Sequence, residues 1–157
     1  MNIIHIINTI QFKREADKCL KKFEEKPYEP TDLESYEMEF NSLLFGRFYR
    51  DLERNTLPVI PRPTASEIED YKIKKEKRCS KSDNFYKYLD WGKAEANNSI
   101  PIEVEIWVDK IFDIYFKDLF PVFGQVHKCY AIRKKLYRYK GYNWYSFREL
   151  HPGVRVD

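Results

Sequence analysis

Residues 100–120, IPIEVEIWVDKIFDIYFKDLF, restrict the fold more than any other stretch of this chain. Val104, Trp107, Val108, Ile111, Phe112, Tyr115 and Leu119 recur every three or four residues and so share one face of an α-helix. Glu103, Asp109, Lys110, Asp113 and Lys117 gather opposite them. The apolar stripe covers over a third of the circumference, wider than a helix resting on one neighbour requires. The pattern predicts a helix that others pack around, with each large buried side chain contributing about 1.5–3 kcal/mol. Pro101 stands at its start, where a first-turn proline is tolerated.

The other segments read as helices with clear stops. Ile3, Ile6, Ile7 and Ile10 fit a helical stripe, as do Phe12, Ala16, Cys19, Leu20 and Phe23, but the two stripes are out of phase. That leaves two helical pieces with a bend near residues 8–11, or a short strand followed by a helix; residues 2–10 are read as helix, although β-branched isoleucine suits both. After the PYEPT break, Thr31 and Glu34 have capping-box spacing. Leu33, Tyr36, Phe40, Leu43, Leu44 and Phe48 carry a helix on to about Asn55. Pro58, Pro61 and Pro63 forbid helix and make residues 56–64 an extended connector. Thr64 with Glu67 opens the next helix, and Ser82 is placed to cap the segment holding Phe85, Tyr88, Leu89 and Gly92. Helical period resumes in QVHKCYAIRKKLYRY, residues 125–139. The run YRYKGYNWY then has room for a short hairpin about Lys140-Gly141, and Ser146 with Glu149 forms another capping box. The expected fold is mainly α: a single compact helical domain over residues 1–157, its N- and C-terminal halves joined by the connector at 56–64, with room for a short C-terminal β-hairpin.

Charge is distributed unevenly. From Val126 onward Lys128, Arg133, Lys134, Lys135, Arg138, Lys140, Arg148 and Arg155 face only Glu149 and Asp157, a balance of +6. The whole chain is +3, so everything before is −3. Tyr130, Tyr137, Tyr139, Tyr142, Trp144 and Tyr145 interleave with those cations. Amines that meet phosphates beside rings that stack on bases suit nucleic acid, and the same mixture suits protein interfaces. On the helical wheel His127, Lys134 and Arg138 form a row with small Ala131 between them, fit for a phosphate or an acidic side chain. Arg133 falls among Val126, Cys129, Tyr130, Leu136 and Tyr137. A guanidinium there must snorkel out or find a carboxylate, and one of the nearest acids in sequence, Glu149 or Asp157, is expected to pair with it. The candidate binding residues are His127, Lys134, Arg138, Tyr139, Lys140, Tyr142, Trp144 and Arg148, with Arg133, Glu149 and Asp157 as a structural ion pair.

Several chemistries find no footing. Cys19, Cys79 and Cys129 are odd in number and widely spaced, which fits neither a disulfide framework nor a zinc site. Cys129 and His127, two apart on one helix, point away from each other. Gly-rich phosphate loops, GxSxG and HExxH are missing from the sequence. No metal or cofactor is expected. The N-terminal MNIIHIINTI lacks a cationic lead and runs into QFKREADK, so a cytoplasmic protein with no membrane contact is expected.

Gly124, His127, Lys134, Trp144, Ser146, Glu149, Leu150, Pro152 and Asp157 compose a pattern GxxH, a basic helix, WxSxxELxP and a final aspartate. This resembles the C-terminal pattern of small proteins from low-GC Gram-positive bacteria and their mobile elements. Phe147 stands where proline is usual, and YKGYNW replaces a Tyr-Gly-Ile turn. The resemblance covers about a fifth of the chain; it implies a shared fold and a mobile-element setting, and brings no activity with it. Together these readings lead to a non-enzymatic binding protein: a phage or mobile-element accessory protein that binds or inhibits a host nucleic-acid-processing (defence) machine, partnered by a host protein or protein–nucleic-acid complex. Direct nucleic-acid binding is the alternative, and an enzyme acting on a phosphorylated small molecule a second. The sequence does not fix an oligomeric state.

Overall fold

A computed structural model describes Arg14, Asp17, Lys18 and residues 30–80, 91–122 and 124–153; the readings at residues 2–10 and at Ser82 lie outside these. The principal helices are α1 (Pro30–Glu53), α2 (Ala65–Ser80), α3 (Trp91–Asn98), α4 (Ile102–Phe116), α5 (Gln125–Tyr139) and the short α6 (Phe147–Leu150). The protein is mainly helical, and no strand occurs among the described residues. The chain groups into two compact units: Met1–Ile60 with Ile111–Val122, and Pro61–Lys110 with Phe123–Asp157. The chain passes from the first to the second between Ile60 and Pro61, inside the proline-rich stretch.

The first unit is held by aromatic rings. Phe48 on α1 is fully buried, with Tyr115 and Phe116 of α4 each 5.5 Å away. Phe45 lies 5.3 Å from Phe116, and Phe40 and Tyr36 close on Phe120 at 5.2 and 5.9 Å. Most of these rings meet tilted or edge-on, the arrangement their quadrupoles favour. Asn41 uses its whole amide here: Nδ2 donates to the Phe120 carbonyl and Oδ1 accepts from the Phe120 N–H, both at 2.9 Å. Asp51, fully buried, accepts from the Tyr115 hydroxyl at 2.5 Å. Burial, then that carboxylate, pushes the Tyr115 hydroxyl far above its usual range. α1 ends where Asn55 takes φ 58°, with Asn55 N–H donating to Leu52 and Thr56 N–H to Asp51. That is a left-handed C-terminal cap, and asparagine is the side chain that tolerates it best after glycine.

In the second unit Ile100, Ile106, Val108, Ile132, Leu136 and Tyr137 make the core. Thr64 Oγ1 accepts from the Glu67 N–H at 3.2 Å, as its spacing predicts. The Glu67 carboxylate does not complete the box; it accepts from Lys110 instead at 2.6 Å. Glu105 is buried on α4 and takes both oxygens to Lys75 at 3.1 Å.

The run YRYKGYNWY does not form the hairpin it has room for, for two local reasons. Gly141 does adopt a positive φ, 87°, but uses it to stop α5: Gly141 N–H donates to Arg138 and Tyr142 N–H to Tyr137. Beyond it, the Tyr145 backbone is occupied by a side chain. Asn97 Nδ2 donates to its carbonyl at 2.7 Å, and Asn97 Oδ1 accepts from its N–H at 2.8 Å. The amide of Asn97 sits where a partner strand would bond.

Candidate binding surface

α5 has one buried face and one charged face. Gln125, Ile132, Leu136 and Tyr137 are buried, with Cys129 half-buried between them. At about 100° per residue, Gln125, Cys129, Ile132 and Leu136 fall on a single narrow stripe. The wheel reading left Ile132 out of the apolar face, although its position on that stripe would have placed it there. Arg133 is displaced to the flank of the core, and its guanidinium donates to Asp109 of α4 at 2.5 Å. Glu149 is therefore not its partner, and Asp157 lies outside the described residues. The correction has a simple cause: Asp109 is far in sequence but packs beside α5, while Glu149 is claimed from the other side.

That other claim fixes α6. Glu149 Oε1 accepts from Lys134 Nζ at 2.5 Å, and Oε2 accepts from the Ser146 N–H at 2.8 Å and its hydroxyl at 3.1 Å. Ser146 Oγ accepts in turn from the Glu149 N–H, completing the predicted capping box. Burial pushes the Glu149 carboxyl up, but the hydrogen bonds from Lys134 and Ser146 outweigh it and hold it below its usual range. Lys134 also lies 5.6 Å from the Tyr145 ring. The row His127–Lys134–Arg138 is thus broken at its middle.

His127 and Arg148 come together, guanidinium nitrogen to ring Nδ1 at 3.2 Å. A guanidinium can only donate, so Nδ1 is the acceptor in this contact. Arg138 is exposed on the same helix. The other predicted residues fall into two ring clusters. Trp144 stacks on Tyr137 at 5.3 Å and leans on Tyr130 at 6.2 Å, an arrangement that is packing. Tyr139 stacks on Trp107 at 5.9 Å, and the Lys140 ammonium sits 4.3 Å from the Trp107 ring centre. Trp107, read as core, is in fact half-buried and supports both. Tyr142 is half-buried just past the end of α5.

Sequence reasoning missed the cations that replace Lys134. Lys128 and Lys135 are exposed on α5 and, with Arg138, lie within about 80° of arc. Between Gly124 and Gly153 the exposed residues include Lys128, Lys135, Arg138, Lys140 and Arg148. Glu149 is the sole acid in that stretch, and it is half-buried on Lys134. The exposed acids of this unit, such as Glu69, Asp70, Glu76, Glu95 and Glu103, sit on α2, α3 and α4. Cys129 is unsuited to act as a nucleophile, since burial pushes its thiol up despite nearby Arg133. No helix among the described residues is long and apolar enough to cross a membrane. Comparison with protein families, curated proteins and solved structures finds no match to this chain.

Proposed function

We propose that this chain is a non-enzymatic binding protein whose α5–α6 surface grips a polyanionic partner. The setting suggested by its C-terminal pattern is that of a mobile-element accessory protein acting on a host nucleic-acid-processing machine. One observation supports the reading: between Gly124 and Gly153 the exposed residues include five cations, and the sole acid of that stretch, Glu149, is half-buried on Lys134. Arg133 and Lys134 reach Asp109 and Glu149, and the exposed cations of the stretch are Lys128, Lys135, Arg138, Lys140 and Arg148. A face of one sign steers and holds a partner of the opposite sign.

The test compares partners captured from native cytosol by the wild type and by a Lys135→Glu, Arg138→Glu double variant. Both positions are exposed, so the fold is expected to survive, which circular dichroism checks. The proposal expects one dominant partner, retained by the wild type and reduced at least about tenfold by the variant, since two reversed charges cost more than 1.4 kcal/mol in binding. Equal capture by both proteins would remove this surface from the account.

A further inference from the structure

α5 begins behind Gly124, which has no side chain to cap it, and its first turn carries no acid. The first N–H groups of a helix have no partner within it, and they form the positive end of its dipole. Gly124 stands at φ 78°, and a side chain there would meet nothing within 4 Å, so the space beside the helix end is open. His127, in that first turn, holds the Arg148 guanidinium at 3.2 Å.

A second, independent observation points to what sits there. Gln125, the first residue of α5, is only 8% exposed, and neither Nε2 nor Oε1 of its amide has a hydrogen-bond partner among the described residues. Native chains keep few buried polar groups in that state. Side chains lean toward the N-terminus of their helix, so the amide of a first residue projects at its open end. One half of that amide donates and the other accepts. The protein shows twice what such a group holds: Asn41 and Asn97 each bond both the N–H and the carbonyl of a single backbone residue.

We infer that the start of α5 is a binding site for an acidic peptide segment. A carboxylate takes the first N–H groups of α5, with Arg148 beside it, and the N–H and carbonyl of the adjoining peptide residue pair with the Gln125 amide. A backbone phosphate of nucleic acid offers acceptors alone and would leave Oε1 as it is. The carboxylate is a C-terminus or an acidic side chain, the same chemistry from two sources. The inference deepens the binding reading above, taking its polyanionic partner to be a protein.

Fluorescence anisotropy of the full chain with N-terminally labelled pentapeptides tests it. The peptides are Gly-Ser-Ala-Ala-Ala with a free C-terminus, Gly-Ser-Ala-Glu-Ala amidated, and Gly-Ser-Ala-Ala-Ala amidated as the neutral control. One or both acidic peptides are expected to bind, and the neutral one is not. Gln125→Leu removes both amide groups from the interior; it is expected to raise the melting temperature and to weaken the peptide at least about tenfold. Gln125→Glu puts a negative charge where the helix dipole favours it, so it is expected to fold and to repel the peptide carboxylate. Equal affinity for all three peptides overturns the inference, as does wild-type affinity in Gln125→Leu. Displacement by inorganic phosphate or oligothymidylate at a lower concentration than by unlabelled peptide also overturns it. If neither acidic peptide binds while the cytosolic partner is still lost from the Lys135→Glu, Arg138→Glu variant, the inference falls and the binding surface stands. Peptide binding with equal capture of that partner by both proteins does the reverse.

Discussion

At the scale of single residues, two asparagines do work that no local pattern announces. Asn41 and Asn97 each present an amide to both backbone groups of one distant residue, Phe120 and Tyr145. A buried backbone group left without a partner costs about 1–3 kcal/mol. Asn97→Ala is expected to lower stability by about 2 kcal/mol in urea unfolding, and Asn97→Asp, which keeps the acceptor, by less. An unchanged midpoint for Asn97→Ala would show that water serves Tyr145 equally well. Glu149 gives a dependence on pH. Its carboxyl is held below the usual range in the folded chain, so its contribution is complete at neutral pH and fades as acid protonates it below about 4.3. Glu149→Gln should therefore flatten the loss of stability between pH 5 and 3, measured by thermal melts across that interval. A variant losing stability as steeply as wild type would mean the pair with Lys134 contributes nothing.

At the scale of elements, what the sequence made legible was whatever a helix decides within its own length. The stripes of α1 and α4, the stop at the prolines, the Thr64 N-cap and the Ser146 box all follow from spacing. What it hid depends on neighbours many residues away. Arg133 was placed correctly as a cation needing an acid, but Asp109 lies 24 residues off and only packing selects it over Glu149. Likewise Lys140-Gly141 was rightly marked as a turn, yet whether that turn links strands or caps α5 is settled by Asn97. Gly141 has open space around it, so a side chain there meets no clash and only the backbone objects. Gly141→Ala is expected to cost about 1–2 kcal/mol, seen as a lower melting temperature, because an L-residue resists φ 87°. A larger loss would point to a packing role the open space does not suggest.

At the scale of the whole molecule, ion pairs meet part of the lopsided charge of the sequence. Lys75 meets Glu105, Lys110 meets Glu67 and Arg133 meets Asp109, all within the second unit. The excess of +6 in the last residues is thus met in part by ion pairs such as Arg133 with Asp109 and Lys134 with Glu149. Lys128, Lys135, Arg138, Lys140 and Arg148 are exposed in a stretch, Gly124 to Gly153, whose sole acid is the half-buried Glu149. Lysine-reactivity footprinting in native cytosol tests this most directly, because α2 supplies exposed lysines of the same kind as internal controls. The account predicts that Lys128 and Lys135 lose reactivity in the extract and regain it at about 1 M salt, where the screening length falls to about 3 Å, while Lys72 and Lys74 stay reactive throughout. Protection of Lys72 and Lys74 with Lys128 and Lys135 left open would contradict it.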